Sequence, residues 1–129
     1  MNLAVPPPNI SEAESVVMDA LWAHSPLAAE AVVAAVAQQR GWAAVTVKTL
    51  LNRLLKKGAV TVEQVGRRYL YSPAFARDAM VQQASLGLLE RLFGGRVAPL
   101  VAHFGERGAL TAEDLADIKA LIAKLEAKA

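Results

Sequence analysis

Hydrophobic residues in the first half of the chain recur at helical spacing in three successive segments. Ser11 and Glu14 fit a capping box at the start of the first segment, and Thr46 is a suitable N-cap for the third. Gly41 and Gly58 are placed to end the second and third helices. The pattern therefore predicts three helices, at residues 12–23, 28–39 and 46–57.

After Gly58 the hydrophobic period changes from that of a helix to that of a strand. Residues 60–65 alternate, Gly66 and Arg67 fit a turn, and a second alternating run follows at residues 68–72 before Pro73. Three helices followed by a β-hairpin are the elements of a winged helix-turn-helix, in which the third helix enters the DNA major groove. The fold class predicted is mainly α with a small β-hairpin.

The rest of the chain has helical periodicity without β signals. Three further helices are expected at residues 75–93, 96–105 and 112–127, the last capped by Thr111 with Asp114. These helices are too few to close a core of their own, so they are expected to pair with a second copy of the chain. The residues predicted to mediate dimerisation are the larger apolar ones: Leu88, Leu89, Leu92, Phe93, Leu100, Val101, Phe104, Leu115, Ile118, Leu121, Ile122 and Leu125.

Three regions follow from these elements. Residues 1–10, which include the run of prolines at 6–8, are predicted to be an extended arm because proline is not tolerated past the first turn of a helix. The winged helix-turn-helix DNA-binding domain is predicted at 11–73, and the helical dimerisation domain at 74–129.

The amino-acid composition argues against several kinds of site and function. The sequence is 54% hydrophobic and has no cysteine, which excludes disulfides, thiolate metal sites and a cysteine nucleophile. His24 and His103 lack the neighbouring ligands of a metal site, so neither a metal nor a cofactor is predicted. The chain shows no apolar run of membrane-spanning length and no signal peptide, so a cytoplasmic protein without direct membrane binding is expected.

The positive charge is unevenly distributed along the chain. The formal net charge is only +2, yet residues 1–39 contain acids and no Lys or Arg, whereas residues 40–73 contain a single acid, Glu63. The basic residues of that second window are Arg40, Lys48, Arg53, Lys56, Lys57, Arg67 and Arg68. A basic patch on the third helix and hairpin is typical of DNA binding.

The third helix has an apolar face for the core and a polar face opposite. On the polar side, Lys48, Thr49 and Asn52 are predicted to read base edges, and Lys56 is predicted to contact phosphate. Arg53 lies toward the flank of that face, where a phosphate and an acid at the edge of the core are both open as partners. The predicted DNA-binding residues are Thr46, Lys48, Thr49, Asn52, Arg53, Lys56, Arg67 and Arg68, the last two at the wing tip.

Some features of the sequence are also compatible with other functions. Tyr69 and Tyr71 beside basic residues are compatible with stacking on single-stranded nucleic acid, although packing within the wing is the commoner role. No catalytic residues are predicted, because a hydrolase needs convergent polar residues that the sequence lacks, and Glu14 is accounted for by its helix cap. The alternative function is a protein-interaction module that uses the winged-helix scaffold without sequence-specific DNA binding.

Four segments together resemble the penicillinase-repressor family, the BlaI/MecI group. They are ISEAESVVMDALW, TVKTLLNRLLKKGAV, GRRYLYSP and LFGGRVAPLVAHF, in family order and spacing across nearly the whole chain. The resemblance implies a homodimeric repressor that binds a palindromic operator of double-stranded DNA, controlling a resistance or cell-envelope-stress gene.

The resemblance also implies how repression ends. In the best understood branch of the family, a membrane sensor with a metalloprotease domain triggers cleavage of the repressor, and the matching bond here lies between His103 and Phe104. The family commonly has Asn where this chain has His103. A copper-responsive branch senses metal through Cys-x-Cys motifs, and the absence of cysteine excludes that mode here.

Overall fold

The computed structural model describes residues 6–129, so the first five residues of the predicted extended arm lie outside it. Residues 6–10 belong to no helix or strand. The chain divides into two compact units, one ending at Ser85 and the other beginning at Leu86. The elements are α1 (Glu12–Ala23), β1 (Leu27–Ala28), α2 (Ala29–Arg40), α3 (Ala44–Lys57), β2 (Val60–Val65), β3 (Arg68–Pro73), α4 (Arg77–Phe93), α5 (Val97–Glu106) and α6 (Ala112–Lys128).

The first unit has one hydrophobic core built from the apolar faces of α1, α2 and α3. Burial follows the helical spacing that the sequence predicts, since residues three and four positions apart share a face. Ala59 and Val60 carry the core into the start of β2, so the hairpin begins directly at the end of α3. The larger apolar side chains that are fully enclosed are Val17, Met18, Leu21, Val32, Val36, Val47, Leu51, Leu54 and Val60.

The sheet has three antiparallel strands in the order β1-β3-β2. Strand β1 consists of two residues, and it pairs with β3 through Leu27 opposite Tyr71. This third strand was not predicted, because two residues are too few to show alternation. Three helices with this small sheet form a winged helix-turn-helix, and the predicted fold class is confirmed.

The starts of α2 and α5 differ from the predictions by one residue, and those of α3 and α4 differ by two. Helix α3 begins at Ala44 with Ala43 as its N-cap, so Thr46 is not the cap but lies within the first turn, its N–H bonded to the Ala43 carbonyl. Nothing between Ala43 and Thr46 disfavours a helix, and the helix therefore extends back toward Gly41. Helix α4 begins at Arg77 rather than at residue 75, because the Phe75 carbonyl accepts a hydrogen bond from the Trp22 indole.

The second unit consists of the end of α4 together with α5 and α6. Helix α6 starts with the predicted capping box, in which the Asp114 N–H donates to the Thr111 hydroxyl at 3.0 Å and the Thr111 N–H donates back to the Asp114 carboxylate. No residue of α5 or α6 is buried in the described chain. Among the described helices, none is both long enough and apolar enough to cross a membrane.

Candidate nucleic-acid interface

Helix α3 has a buried apolar face and an exposed polar face. Val47, Leu50, Leu51 and Leu54 are buried in the core of the first unit. All of the side chains that the sequence assigns to DNA on this helix are exposed: Thr46, Lys48, Thr49, Asn52, Arg53 and Lys56. Burial of one face fixes the rotation of the helix, and the polar side chains consequently face solvent as a group.

The tip of the wing is a two-residue turn. Val65 pairs with Arg68, which leaves Gly66 and Arg67 as the loop residues. Gly66 has a φ of +63°, and no residue other than glycine has a positive φ in the described chain, which is the pattern of a type II′ turn. Arg67 therefore lies at the tip, while Arg68 is the first residue of β3, and both side chains are exposed.

The structure groups the predicted contact residues around two shallow depressions. Thr46, Thr49 and Arg53 line one on α3, together with Val45 and Leu50. Arg67 and Arg68 line the other, together with Tyr69, Tyr71 and the first residues of α2. Lys48, Asn52 and Lys56 are exposed on α3 but line neither depression.

The two tyrosines of the wing have different environments. Tyr71 packs against the core, as expected for a residue that holds the hairpin onto the helices. Tyr69 is 54% exposed beside the two arginines. Tyr69 is thus the more accessible of the two tyrosines.

An ion pair between the exposed Lys57 and the buried Glu14 connects the end of α3 to the start of α1. Glu14 is only 2% exposed, and its Oε1 accepts hydrogen bonds from Lys57 Nζ at 2.5 Å and from the Ser11 N–H at 2.8 Å. Lys57 also donates to the carbonyl of Asn9 at 3.1 Å. Burial by itself would raise the pKa of Glu14, but the hydrogen bonds from Lys57 and Ser11 hold that pKa below its ordinary value.

Sequence reasoning found the Ser11–Glu14 capping box, which is present, but it missed the burial of Glu14 and its pairing with Lys57. No local signal joins two residues that are 43 positions apart. It also missed Val45, which is 71% exposed in the first turn of α3. A signal for Val45 existed, because its position does not fit the spacing of the core residues on that helix.

The residues predicted to mediate dimerisation have unequal exposure. Leu89 is buried within the chain, and four others are partly buried: Phe93, Leu100, Val101 and Ile118. The remaining seven are exposed apolar side chains: Leu88, Leu92, Phe104, Leu115, Leu121, Ile122 and Leu125. Exposed apolar surface of this kind is characteristic of an interaction site.

The bond between His103 and Phe104 lies inside α5, not in a loop. Both residues are exposed, and the His103 ring lies 6.0 Å from the ring of Phe93 and 5.5 Å from that of Phe104, measured between centroids. In the part of the chain that the structure describes, no cluster of His, Asp or Glu side chains could hold a metal ion.

Known proteins resemble the chain along most of its length. The family model described as penicillinase repressor matches residues 10–124. The penicillinase repressor of Bacillus licheniformis is 31% identical over 111 residues, which cover 86% of this chain and 87% of that protein. The methicillin resistance regulatory protein MecI of Mammaliicoccus sciuri is 24% identical over 115 residues, covering 89% of this chain and 94% of that protein.

Solved structures resemble the winged helix-turn-helix of the first unit, here called the head. The solution structure of the DNA-binding domain of the repressor BlaI superposes with a TM-score of 0.51 at 35% identity, covering 56% of this chain and 88% of that domain. The same values hold for the monomeric form of Bacillus licheniformis BlaI in complex with the blaP half-operator. In that second structure the matching domain is bound to DNA.

Proposed function

This chain belongs to the penicillinase repressor family, and from that membership we propose that it is a homodimeric repressor of a palindromic operator. The resemblance inferred from the sequence is thereby confirmed, and the protein is a transcriptional repressor rather than an enzyme. Its proposed location is the cytoplasm, where its operator would control a resistance or cell-envelope-stress gene. The observation that carries the proposal is the fully exposed polar face of α3 next to a wing with arginines at its tip.

Each head is proposed to insert α3 into one major groove. Lys48, Thr49 and Asn52 would contact base edges there, while Arg67 and Arg68 would contact phosphates beside it. Thr46, Arg53 and Lys56, which share the exposed side of α3, would add backbone contacts. Within the described chain Arg53 forms no ion pair, which favours a phosphate over a core-edge acid as its partner.

The second unit is proposed to join two copies of the chain. Burying a leucine-sized side chain stabilises by about 1.5–3 kcal/mol, and seven exposed apolar side chains on α4, α5 and α6 are available for this. A dimer with one two-fold axis would present its two heads to the two halves of an inverted repeat. Binding to a palindromic operator by both heads therefore requires the dimer.

Release is proposed to follow cleavage between His103 and Phe104 under the control of a membrane sensor metalloprotease. A protease takes its substrate in an extended form, so the helical α5 would have to unfold locally before the cut. Incubation of the purified dimer with an activated sensor should give fragments ending at His103. Operator release from an intact chain would contradict this mechanism without affecting the DNA-binding proposal.

DNA binding is tested by nuclease footprinting on the region upstream of the protein's own gene. We expect a protected inverted repeat, lost in a variant with Ala at Lys48, Asn52, Arg67 and Arg68. The matched control replaces Lys119, Lys124 and Lys128 of α6 with Ala, which removes the same positive charge and should leave the footprint intact. Equal affinity of the quadruple variant and the native chain would refute the site. Absence of any protected palindrome would favour the protein-interaction module.

A further inference from the structure

Val45 is an exposed apolar residue at the N-terminal end of α3, next to the polar face of that helix. It is the second residue of α3, and 71% of it is accessible to solvent. The core residues nearest to it on the helix are Val47 and Leu50, and both are buried. Val45 therefore contributes little to the core, and the fold itself does not require an apolar side chain at this position.

Thr49, one turn after Val45, adds a methyl group to the same side of the helix. The hydroxyl of Thr49 donates a hydrogen bond to the Val45 carbonyl at 2.8 Å. A hydroxyl has one proton, so Thr49 can offer an outside ligand only its oxygen lone pairs and its methyl group. Positions i and i+4 lie on the same side of a helix, which places Thr49 next to Val45.

The two residues line a shallow depression on the exposed face of α3. Its other lining residues are Thr46, Leu50 and Arg53. Four of the five lining side chains carry methyl groups, and the single charge comes from Arg53. The depression therefore suits a small apolar group on a partner whose surrounding surface is polar and anionic.

We propose that Val45 and this depression receive the C5-methyl group of a thymine in each half of the operator. The inference rests on the proposed DNA-binding function and deepens it. Residues at the N-terminal end of a recognition helix contact base edges, and among the four unmodified bases only thymine presents a methyl group in the major groove. Val45 would thus read a base by apolar contact, alongside the hydrogen-bonding residues Lys48 and Asn52.

The test removes only the methyl group. Sites are first selected from random duplex DNA with the full-length chain, and each thymine of the selected half-site is then replaced by uracil, which keeps every hydrogen-bonding group. We expect affinity to fall about fourfold per half-site at one position, which corresponds to the burial of one methyl group. In Val45→Ala the penalty at that position should shrink to less than about twofold.

Val81→Ala is the matched control, because Val81 is an exposed valine on α4, away from α3. It should keep the uracil penalty of the native chain. Indifference of the native chain to uracil at every position would overturn the inference, and so would an unchanged penalty in Val45→Ala. If selection recovers no preferred sequence, the proposed function fails and this inference fails with it. A preferred sequence without uracil sensitivity overturns this inference alone.

Discussion

The two units of the chain differ in how far their hydrophobic side chains are buried. In the first unit, α1, α2 and α3 bury one another's apolar faces, and residues such as Leu21 and Leu54 have no exposed surface. In the second, α5 and α6 carry similar leucines, yet in the described chain none of their residues is buried. The first unit, the head, therefore has a core of its own, whereas the second unit, here called the tail, leaves large apolar side chains exposed.

The contrast indicates that the presentation of α3 and the wing depends on the head alone and not on the tail. A head with its own core can hold α3 and the wing in a fixed geometry whatever its oligomeric state. In the proposed dimer, association through the tail would depend on protein concentration and on the integrity of the tail helices. The proposed cut in α5 would then act on the assembly and leave the DNA-reading surface unchanged.

The largest expected effect comes from charging the exposed apolar surface of α6. Leu121→Asp combined with Ile122→Asp should abolish dimerisation, because two carboxylates would be desolvated at the interface. Loss of the second head should lower affinity for a palindromic site by about 10²–10⁴-fold. Sedimentation equilibrium measures the assembly state, and gel-shift titration measures the affinity.

The matched control for that variant is Lys119→Asp with Lys124→Asp, which also places two carboxylates on exposed positions of α6. The control should remain dimeric. A Leu121/Ile122 variant that stays dimeric and binds the full operator normally would remove the proposed distinction between the units.

The next effect compares one substitution in both units. Leu54 is 0% exposed, so Leu54→Ala should lower the free energy of unfolding of the head by about 2–5 kcal/mol through lost burial and a residual cavity. Leu125 is 57% exposed, so Leu125→Ala should weaken the dimer while leaving the head intact.

The chain offers a convenient probe for this comparison, because Trp22 and Trp42 are its two tryptophans and both pack against the head core. Denaturant unfolding followed by tryptophan fluorescence should shift for Leu54→Ala. At protein concentrations below the dimer dissociation constant it should be unchanged for Leu125→Ala. A comparable shift for both variants would mean that the two units fold as one.

Periodicity in the sequence was sufficient for most of the fold. The predicted limits of the first helix are those of α1, and the hairpin has the predicted turn at Gly66 and Arg67. Strand β1 was missed because its pairing with β3 arises from tertiary contact, not from a local pattern. The start of α3 was placed late because a good capping residue, Thr46, competed with a longer helix whose N-cap, Ala43, makes no side-chain hydrogen bond.

The candidate site was predictable to a similar extent, for the same reason. Exposure of Lys48 and Asn52 follows from the burial of the opposite face of α3, and the periodicity already indicates that face. The contact of Lys57 with Glu14 joins distant parts of the chain and needs coordinates to be seen. The arrangement of the exposed tail residues in a dimer depends on a second copy, and a single sequence does not define it.

The ion pair between the buried Glu14 and Lys57 should make the stability of the head depend on pH. The folded-state pKa of Glu14 lies below its ordinary value of 4.5, so the stabilisation is complete above that value and is lost as the pH falls through the lower folded pKa. Glu14→Gln should cost about 1–3 kcal/mol near neutral pH, because it removes a charged hydrogen bond in a buried setting. Acid titration of tryptophan-detected unfolding measures both effects.

The matched variant is Glu113→Gln, at an exposed acid in the first turn of α6. This variant keeps the contact of Glu14 with Lys57, so it should keep the acid-induced loss of stability that this contact causes. In Glu14→Gln the additional loss of stability below pH 4.5 should be absent. Identical acid profiles for Glu14→Gln and the native chain would show that Lys57 does not stabilise the ionised carboxylate.

The smallest expected effect compares the two capping boxes, one in each unit. The Ser11 hydroxyl accepts a partly buried N–H of Glu14 at 3.1 Å, whereas the Thr111 hydroxyl accepts an exposed N–H of Asp114 at 3.0 Å. Water can replace the lost acceptor at the exposed cap more readily than at the partly buried one. Ser11→Ala should therefore cost about 1–2 kcal/mol, and Thr111→Ala about 0.5 kcal/mol.

Tryptophan fluorescence follows unfolding of the head, whereas far-ultraviolet circular dichroism follows all helices of the chain, so the effect on the tail is the part of the dichroism change that fluorescence does not show. Ser11→Thr and Thr111→Ser keep a hydroxyl acceptor and should restore most of the loss in each case. A Thr111→Ala cost equal to that of Ser11→Ala would contradict the comparison, because it would require the start of α6 to be shielded from water. Such shielding would place the start of α6, beside Leu115, inside the dimer interface.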